Sequence, residues 1–275
     1  MSPILNLIPS FENMEFQTAL SLLFSFILFL GHSFALPSPS TILATRDSSI
    51  ATVSSSTDVV YKAYEFPNET FIQKMAIRSN GNVLVTLFTA PEVWEIDPFT
   101  HTAELIYSFP YATGAFGISE VSPDVFIIAV GNFSFATFST TPGSYSVWSV
   151  NLTGLAASVH KVTDIPQANM LNGVAVLPSQ PCTVLVGDAG IGVIYHVDTK
   201  TGAYYIAIDN PDFKPNASAP LDIGVATIHV RHGYLYFVNV SHALASVPSE
   251  FGSLRLTDIP YTSLLSNPHS SEWLR

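Results

Sequence analysis

The feature that most constrains this chain is a four-strand unit that recurs at a period of about 50 residues. Its clearest copy begins at Met170 with the short apolar strand MLNGVAVLP. A turn leads to a hydrophobic strand ending in Gly187-Asp188, and a Gly-containing turn to a third strand closing on Val197-Asp198. The Lys200-Thr201-Gly202 turn then opens a fourth strand, Ala203 to Ile208. Four short strands joined by three turns make one antiparallel sheet, and such a sheet cannot bury both faces alone. It needs copies of itself on either side.

The copies are present. The third-strand end Tyr195-His196-Val197-Asp198 aligns with Trp94-Glu95-Ile96-Asp97, Trp148-Ser149-Val150-Asn151 and Leu244-Ala245-Ser246-Val247. The steps between them are about 54, 47 and 50 residues, the length of a four-stranded propeller blade. The innermost strands align as Met75-Ala76-Ile77, Val174-Ala175-Val176 and Ile228-His229-Val230, with a poorer copy at Ile118-Ser119-Glu120. The fold class expected is therefore all-β, a β-propeller of four-stranded antiparallel blades, with about four blades present. Blade one runs from Phe71 to Phe109 with an Asn80-Gly81 hairpin turn, and blade two from Phe116 to Ile165. Blade three ends at Ile208, and blade four starts at Val225, turns at His232-Gly233 and continues to the ALASV strand. Phe251 to Ile259 offers one last strand, and residues 59–259 are the expected propeller region.

Upstream of it, Ala19 to Leu30 is an apolar run of signal-peptide length, short for a bilayer span, followed by the small residues Ser33-Phe34-Ala35. Residues 1–35 are expected to be a cleaved signal peptide, with 1–13 a possible upstream extension ahead of Met14. Residues 36–58, rich in Ser, Thr and Pro, read as a tail or linker, and 260–275 as a tail outside the repeat. Five Asn-x-Ser/Thr sequons, at Asn68, Asn132, Asn151, Asn216 and Asn239, fit passage through the secretory pathway, to a secreted or endomembrane-lumen destination. Asn68, Asn151 and Asn216 lie at turn-like places suited to glycans; Asn132 and Asn239 lie in expected strands, where one or both stay unmodified.

Ten basic residues against 21 acidic give a net charge of -11, which argues against nucleic acid and anionic lipid as partners. The single Cys182 excludes an intrachain disulfide and reads as a buried strand residue. The Gly187–Gly192 run leads into a strand, so it makes no phosphate cradle. His229 and His232 flank Arg231 near a turn and read as solvated; Tyr234, Tyr236 and Phe237 read as blade packing.

The segments FIQKMAIRSNGNVLVTLFTAPEVWEIDP, PDVFIIAVGNFS, GSYSVWSVNL, MLNGVAVLP and VLVGDAGIGVIYHVD resemble the fungal secreted branch of the gluconolactonase/regucalcin-like six-bladed β-propellers. The likeness covers about residues 60–248. It implies six blades, so the C-terminal blades are expected to be missing from this chain. It also implies a site on the propeller axis. In the metal-dependent lactonases of that family a divalent cation is held there by Glu, Asn and Asp side chains. The positions aligned with that set are Gln73, Phe116, Asn172 and Ala226. Asn172 keeps the family's Asn-Gly pair, but Gln73 stands where Glu is expected, beside Lys74, and Ala226 replaces a ligand. A hard cation prefers carboxylate oxygens, so neither metal nor cofactor is expected. A second alignment places Asn132, Asp188 and Asn239 at the ends of second strands, with Leu87 in blade one. One reading is a polar ring lining the cavity mouth; the other is that these residues tie loops together.

The same branch includes hetero-Diels–Alderases, which join a quinone methide to a terpene alkene. The resemblance implies a secondary-metabolite enzyme acting on a hydrophobic, polyketide- or terpenoid-like small molecule. Asn172, Gln73 and Lys74 are then the candidate catalytic hydrogen-bond donors, and Phe116 part of an apolar wall. The alternatives are a metal-dependent lactonase and a non-catalytic secreted propeller.

Overall fold

The computed structural model describes residues 62–243 and 251–255, apart from positions 68, 179, 181 and 220. The expected leader, linker and 260–275 tail, the Asn68 sequon and the strand expected at Leu244–Val247 lie outside the described residues.

Blade one is β1 (Ile72–Ile77), β2 (Val83–Leu87), β3 (Glu92–Asp97) and β4 (Thr102–Ser108), antiparallel in that order. Blade two is β5 (Gly114–Ser122), β6 (Val125–Gly131), β9 (Ser146–Asn151) and β10 (Ser158–Asp164), with the hairpin β7 (Phe133–Ser134) and β8 (Ser139–Thr140) between β6 and β9. Blade three is β11 (Leu171–Val176), β12 (Thr183–Asp188), β13 (Val193–Asp198) and β14 (Tyr204–Asp209). Blade four contains β15 (Val225–Arg231), β16 (Tyr234–Asn239) and β17 (Phe251–Arg255). This is the all-β propeller architecture expected from the repeat, with the first strands packed in series, β1 on β5, β5 on β11 and β11 on β15.

The local sequence explains the pattern. Middle strands are sandwiched between neighbouring sheets, so every residue of β12 is buried and it reads as a continuous apolar run. The outermost strands β4 and β10 have no fully buried residue and carry Glu104, His160 and Lys161 on exposed positions. Between blades one and two the core holds Leu84, Val93, Ile118, Phe126 and Ile128. Between blades three and four it holds Leu185, Ile194, Val225, Ile228 and Leu235. The residue that repeats at the end of each third strand has a shared job. Asp97 Oδ1 accepts from the N–H of Phe99 and Thr100, Asn151 Oδ1 from that of Thr153, and Asp198 Oδ1 from those of Lys200 and Thr201. The repeat is thus an Asx turn that closes the third strand onto the fourth. At the Asn80-Gly81 turn, Gly81 takes φ +91°, where a side chain would be strained.

Three expectations are corrected. Blade four's third strand is β17, paired with β16 through Leu235 and Leu254; the chain leaves β16 through a short helix, α1 (Val240–Ala243). Cys182 is half-buried in the turn before β12 at φ +67°, its carbonyl accepting from the Thr199 N–H and hydroxyl. Asn132 lies just past β6, outside any strand, because blade two carries the β7–β8 hairpin there.

Candidate functional site

All four first strands slip register at the same end. Pairing jumps from Ile72 to Lys74 in β1, Ala115 to Ile118 in β5, Leu171 to Val174 in β11 and Val225 to Thr227 in β15. Gln73, Phe116, Asn172 and Ala226 all fall within these slips. A bulge re-aims the side chain it carries, and two of the aligned positions meet. Gln73 Nε2 donates to Asn172 Oδ1 at 2.8 Å, linking blades one and three. Lys74 Nζ donates to Thr227 Oγ1 at 2.6 Å, linking blades one and four. Thr86 Oγ1 donates to the Phe116 carbonyl at 2.5 Å. Glycine follows the bulge in blades two and three because the next backbone is too close for a side chain: a Cβ on Gly117 would sit 2.1 Å from the Asn172 carbonyl oxygen.

Gln73 and Asn172 are both 1% exposed, and among the described residues Gln73 Oε1 has no hydrogen-bond partner. Lys74 keeps part of its side chain accessible while its ammonium is enclosed, and desolvation lowers its pKa to about 7. Set against the cation site of the lactonases, these residues do not fit. The one matching amide oxygen already accepts from Gln73, and among the described residues no three His, Cys, Asp or Glu side chains converge.

Of the two readings of Asn132, Asp188 and Asn239, the side chains of Asp188 and Asn239 act as loop ties. Asp188 is fully buried, and its carboxylate accepts from the N–H groups of Asn169, Met170, Gly190 and Ile191. Burial pushes its pKa up against the opposing pull of those donors. Asn239 Nδ2 donates to the carbonyls of Asp212 and Lys214, holding the segment that enters blade four. Asn132 is displaced from this register: the residue in the first pair beyond the slip is Val130, where blade three has Asp188. His229 and His232 are exposed at the opposite end of blade four, and Tyr236 is 43% exposed while Phe237 is buried.

The open space lies beside the axis. A cavity of about 620 Å³ between blades one and two is lined by Glu69, Thr70, Phe71, Phe88, Thr89, Thr113, Phe133 and Phe135. Phe88, buried in its wall, is 4.5 Å from Phe133, 4.9 Å from Phe135 and 5.3 Å from Phe116 between ring centroids. Phe71 and Phe135 are 5.6 Å apart. Phe116 is therefore wall support beneath Phe88 instead of an exposed wall. Neither it nor Gln73, Lys74, Asn132, Asn172, Asp188 or Asn239 lines the cavity. Thr89 Oγ1 accepts from the Phe71 N–H, leaving its own hydroxyl hydrogen available to a ligand. Sequence reasoning missed the lining residues. Their signal was the Asn-Phe-Ser-Phe-Ala-Thr-Phe run after β6, in the blade with the longest step.

No protein-family model matches the sequence. The chain is 29% identical over 204 residues to a Sarocladium schorii protein named "Putative hetero-Diels-Alderase asR5", covering 64% of this chain and 50% of that one. It is 26% identical over 200 residues to a Phoma protein named "Putative hetero-Diels-Alderase", covering 64% of this chain and 57% of that one. The chain thus spans little more than half the length of the curated relatives it matches. Among solved structures, a gluconolactonase from Xanthomonas campestris aligns at TM-score 0.44 with 16% identity, over 61% of this chain and 56% of the other.

Proposed function

The chain is a sequence relative of proteins named hetero-Diels-Alderases, and from that premise we propose that it takes part in secondary-metabolite biosynthesis as a pericyclase. The alignment over 204 residues carries this reading. The reaction joins a quinone methide, as the four-atom oxygen-bearing diene, to an alkene. One C–C and one C–O bond form, the π electrons reorganise within the new ring, and no atom or proton leaves. Such chemistry asks the protein to hold two apolar partners in a reactive pose, which can contribute up to roughly 7–11 kcal/mol.

The cavity between blades one and two supports the reading. The partly exposed Phe71 and Phe135 rings offer apolar surface to a flat conjugated diene, with Phe88 and Phe133 buried behind them. The Thr89 hydroxyl is a donor for the quinone-methide oxygen as it gains electron density. Gln73, Lys74 and Asn172 then act as positioning groups, their cross-axis hydrogen bonds fixing the first strands on which Phe116 and hence Phe88 rest. Secretion belongs to the same proposal, with glycans on Asn151 and Asn216; an electrophoretic shift on endoglycosidase treatment checks it.

The test is to incubate purified protein with an ortho-quinone methide and a humulene-type alkene and follow adducts by chiral chromatography. Faster formation and an altered stereoisomer ratio are expected. Identical product mixtures with and without protein overturn the proposal.

A further inference from the structure

The blades differ most at the connection between their second and third strands. Second and third strands are joined by residues 88–91 in blade one and 189–192 in blade three, but by 132–145 in blade two and 240–250 in blade four; blade two's join alone carries a β-hairpin among the described residues. The extra length is the β7–β8 hairpin. It delivers Phe133 and Phe135 to the cavity, with Phe138 packed behind Phe133 at 5.2 Å. In repeat proteins the insertions of individual repeats map to loops on one face, often the binding face.

The hairpin is built in two parts. Its base is pinned: the Phe133 N–H donates to Thr113 Oγ1 at 2.8 Å, and Thr113 Oγ1 donates to the Phe133 carbonyl at 2.9 Å. Thr140 Oγ1 donates to Asn169 Oδ1 at 2.6 Å, and the Tyr145 hydroxyl to the Asn132 carbonyl at 3.1 Å. Phe133 is buried as a result. The tip, residues 135–138, is a turn with Phe138 at φ +49°, and there Phe135 stays partly exposed. Its ring meets Phe88 edge-on at 4.9 Å and Phe71 at a 42° tilt, so it closes one side of the cavity from a position outside the blade core.

We propose that Phe135 is the specificity-determining residue of this cavity, and that its ligand is a flat, uncharged aromatic or conjugated molecule that packs against the Phe71, Phe88 and Phe135 rings. Four phenylalanines line the cavity, Phe71 and Phe135 partly exposed and Phe88 and Phe133 buried behind them, while Glu69 and the chain's net charge of -11 disfavour anions. The proposal rests on reading the cavity as the substrate site, but it concerns ligand binding and is testable without turnover.

The probe is N-phenyl-1-naphthylamine, an uncharged aromatic fluorophore, titrated into the full chain. Saturable fluorescence enhancement is expected, with Phe135→Ala weakening the affinity about threefold to tenfold, the loss of one or two ring contacts. Phe135→Leu, which keeps apolar bulk but no ring, also weakens it. Phe99→Ala removes a 74% exposed phenylalanine from the far end of blade one and leaves affinity unchanged. Circular dichroism checks that each variant is folded. Equal affinity in parent and Phe135→Ala overturns the proposal, as does full retention by Phe135→Leu or an equal loss in Phe99→Ala. If the expected ranking holds and the parent forms no adduct from quinone methide and alkene, the specificity proposal stands and the pericyclase reading falls.

Discussion

Blades two and three are built on the same four strands yet end differently at the mouth. In blade three the chain leaves β12 through Asp188, whose carboxylate gathers four N–H groups and locks Ala189–Gly192 into a short turn. In blade two it leaves β6 through Asn132 into a hairpin that borders an open aromatic cavity. Both exits carry a polar residue after an apolar strand, and the sequence makes them look like counterparts. One is a fully satisfied buried group that holds structure; the other begins an insertion that makes space. The lesson is that in a repeat fold a polar residue's role follows from how many partners surround it, not from its place in the repeat.

The largest test of this contrast is Asp188→Ala. Four donors lose a charged acceptor at a buried site, and unfolding in urea should show a loss of roughly 3–5 kcal/mol. A loss below about 1 kcal/mol would mean that water replaces the carboxylate, and the locked-turn account would fail. Asn239→Ala belongs to the same series one step down. It leaves the Asp212 and Lys214 carbonyls without a neutral donor, so a loss of roughly 1–2 kcal/mol is expected. An Asn239 effect exceeding that of Asp188 would reverse the ranking and break the comparison.

The axis is common to both blades and gives a control that neither mouth should disturb. Lys74 has a folded-state pKa of about 7 against an ordinary value near 10.5. Between those values the unfolded chain binds more protons than the folded one, so stability rises as pH rises. From pH 7 to pH 9 the gain should be about 1 kcal/mol or more, measured by urea unfolding, and Lys74→Met should abolish it. The slope should be the same in Phe135→Ala. A slope that vanished there would couple the cavity to the axis.

Much of the fold was legible because the repeat has a physical cause at each point. The apolar runs of β6 and β12 mark strands covered on both faces, and Asp97, Asn151 and Asp198 mark Asx turns. The alignment of Gln73, Phe116, Asn172 and Ala226 was also legible, since all four sit at the register slip. The sequence could not show what those side chains do after the slip. Gln73 and Asn172 bond to each other across 99 positions of chain, and only three-dimensional packing reveals that pairing. The cavity was hidden for a related reason: Phe71, Phe88 and Phe135 come from two blades and look like ordinary apolar residues at strand ends.

The smallest expected effect is at Asn132, and it bears on the comparison most directly. The structural contacts of this residue are made by its backbone. Its N–H donates to Ser144 Oγ at 3.0 Å, and its carbonyl accepts from the Thr141 N–H at 3.0 Å and the Tyr145 hydroxyl at 3.1 Å. Those bonds survive replacement of the side chain by alanine. The side-chain Oδ1 is buried with no hydrogen-bond partner among the described residues, so removing it relieves an unmet desolvation cost. Asn132→Ala should therefore shift stability by no more than about 0.5 kcal/mol, in either direction, and leave probe affinity in the cavity unchanged. A loss above about 1.5 kcal/mol would show that Asn132 ties a loop as Asp188 does, and the two exits would then be variants of one device.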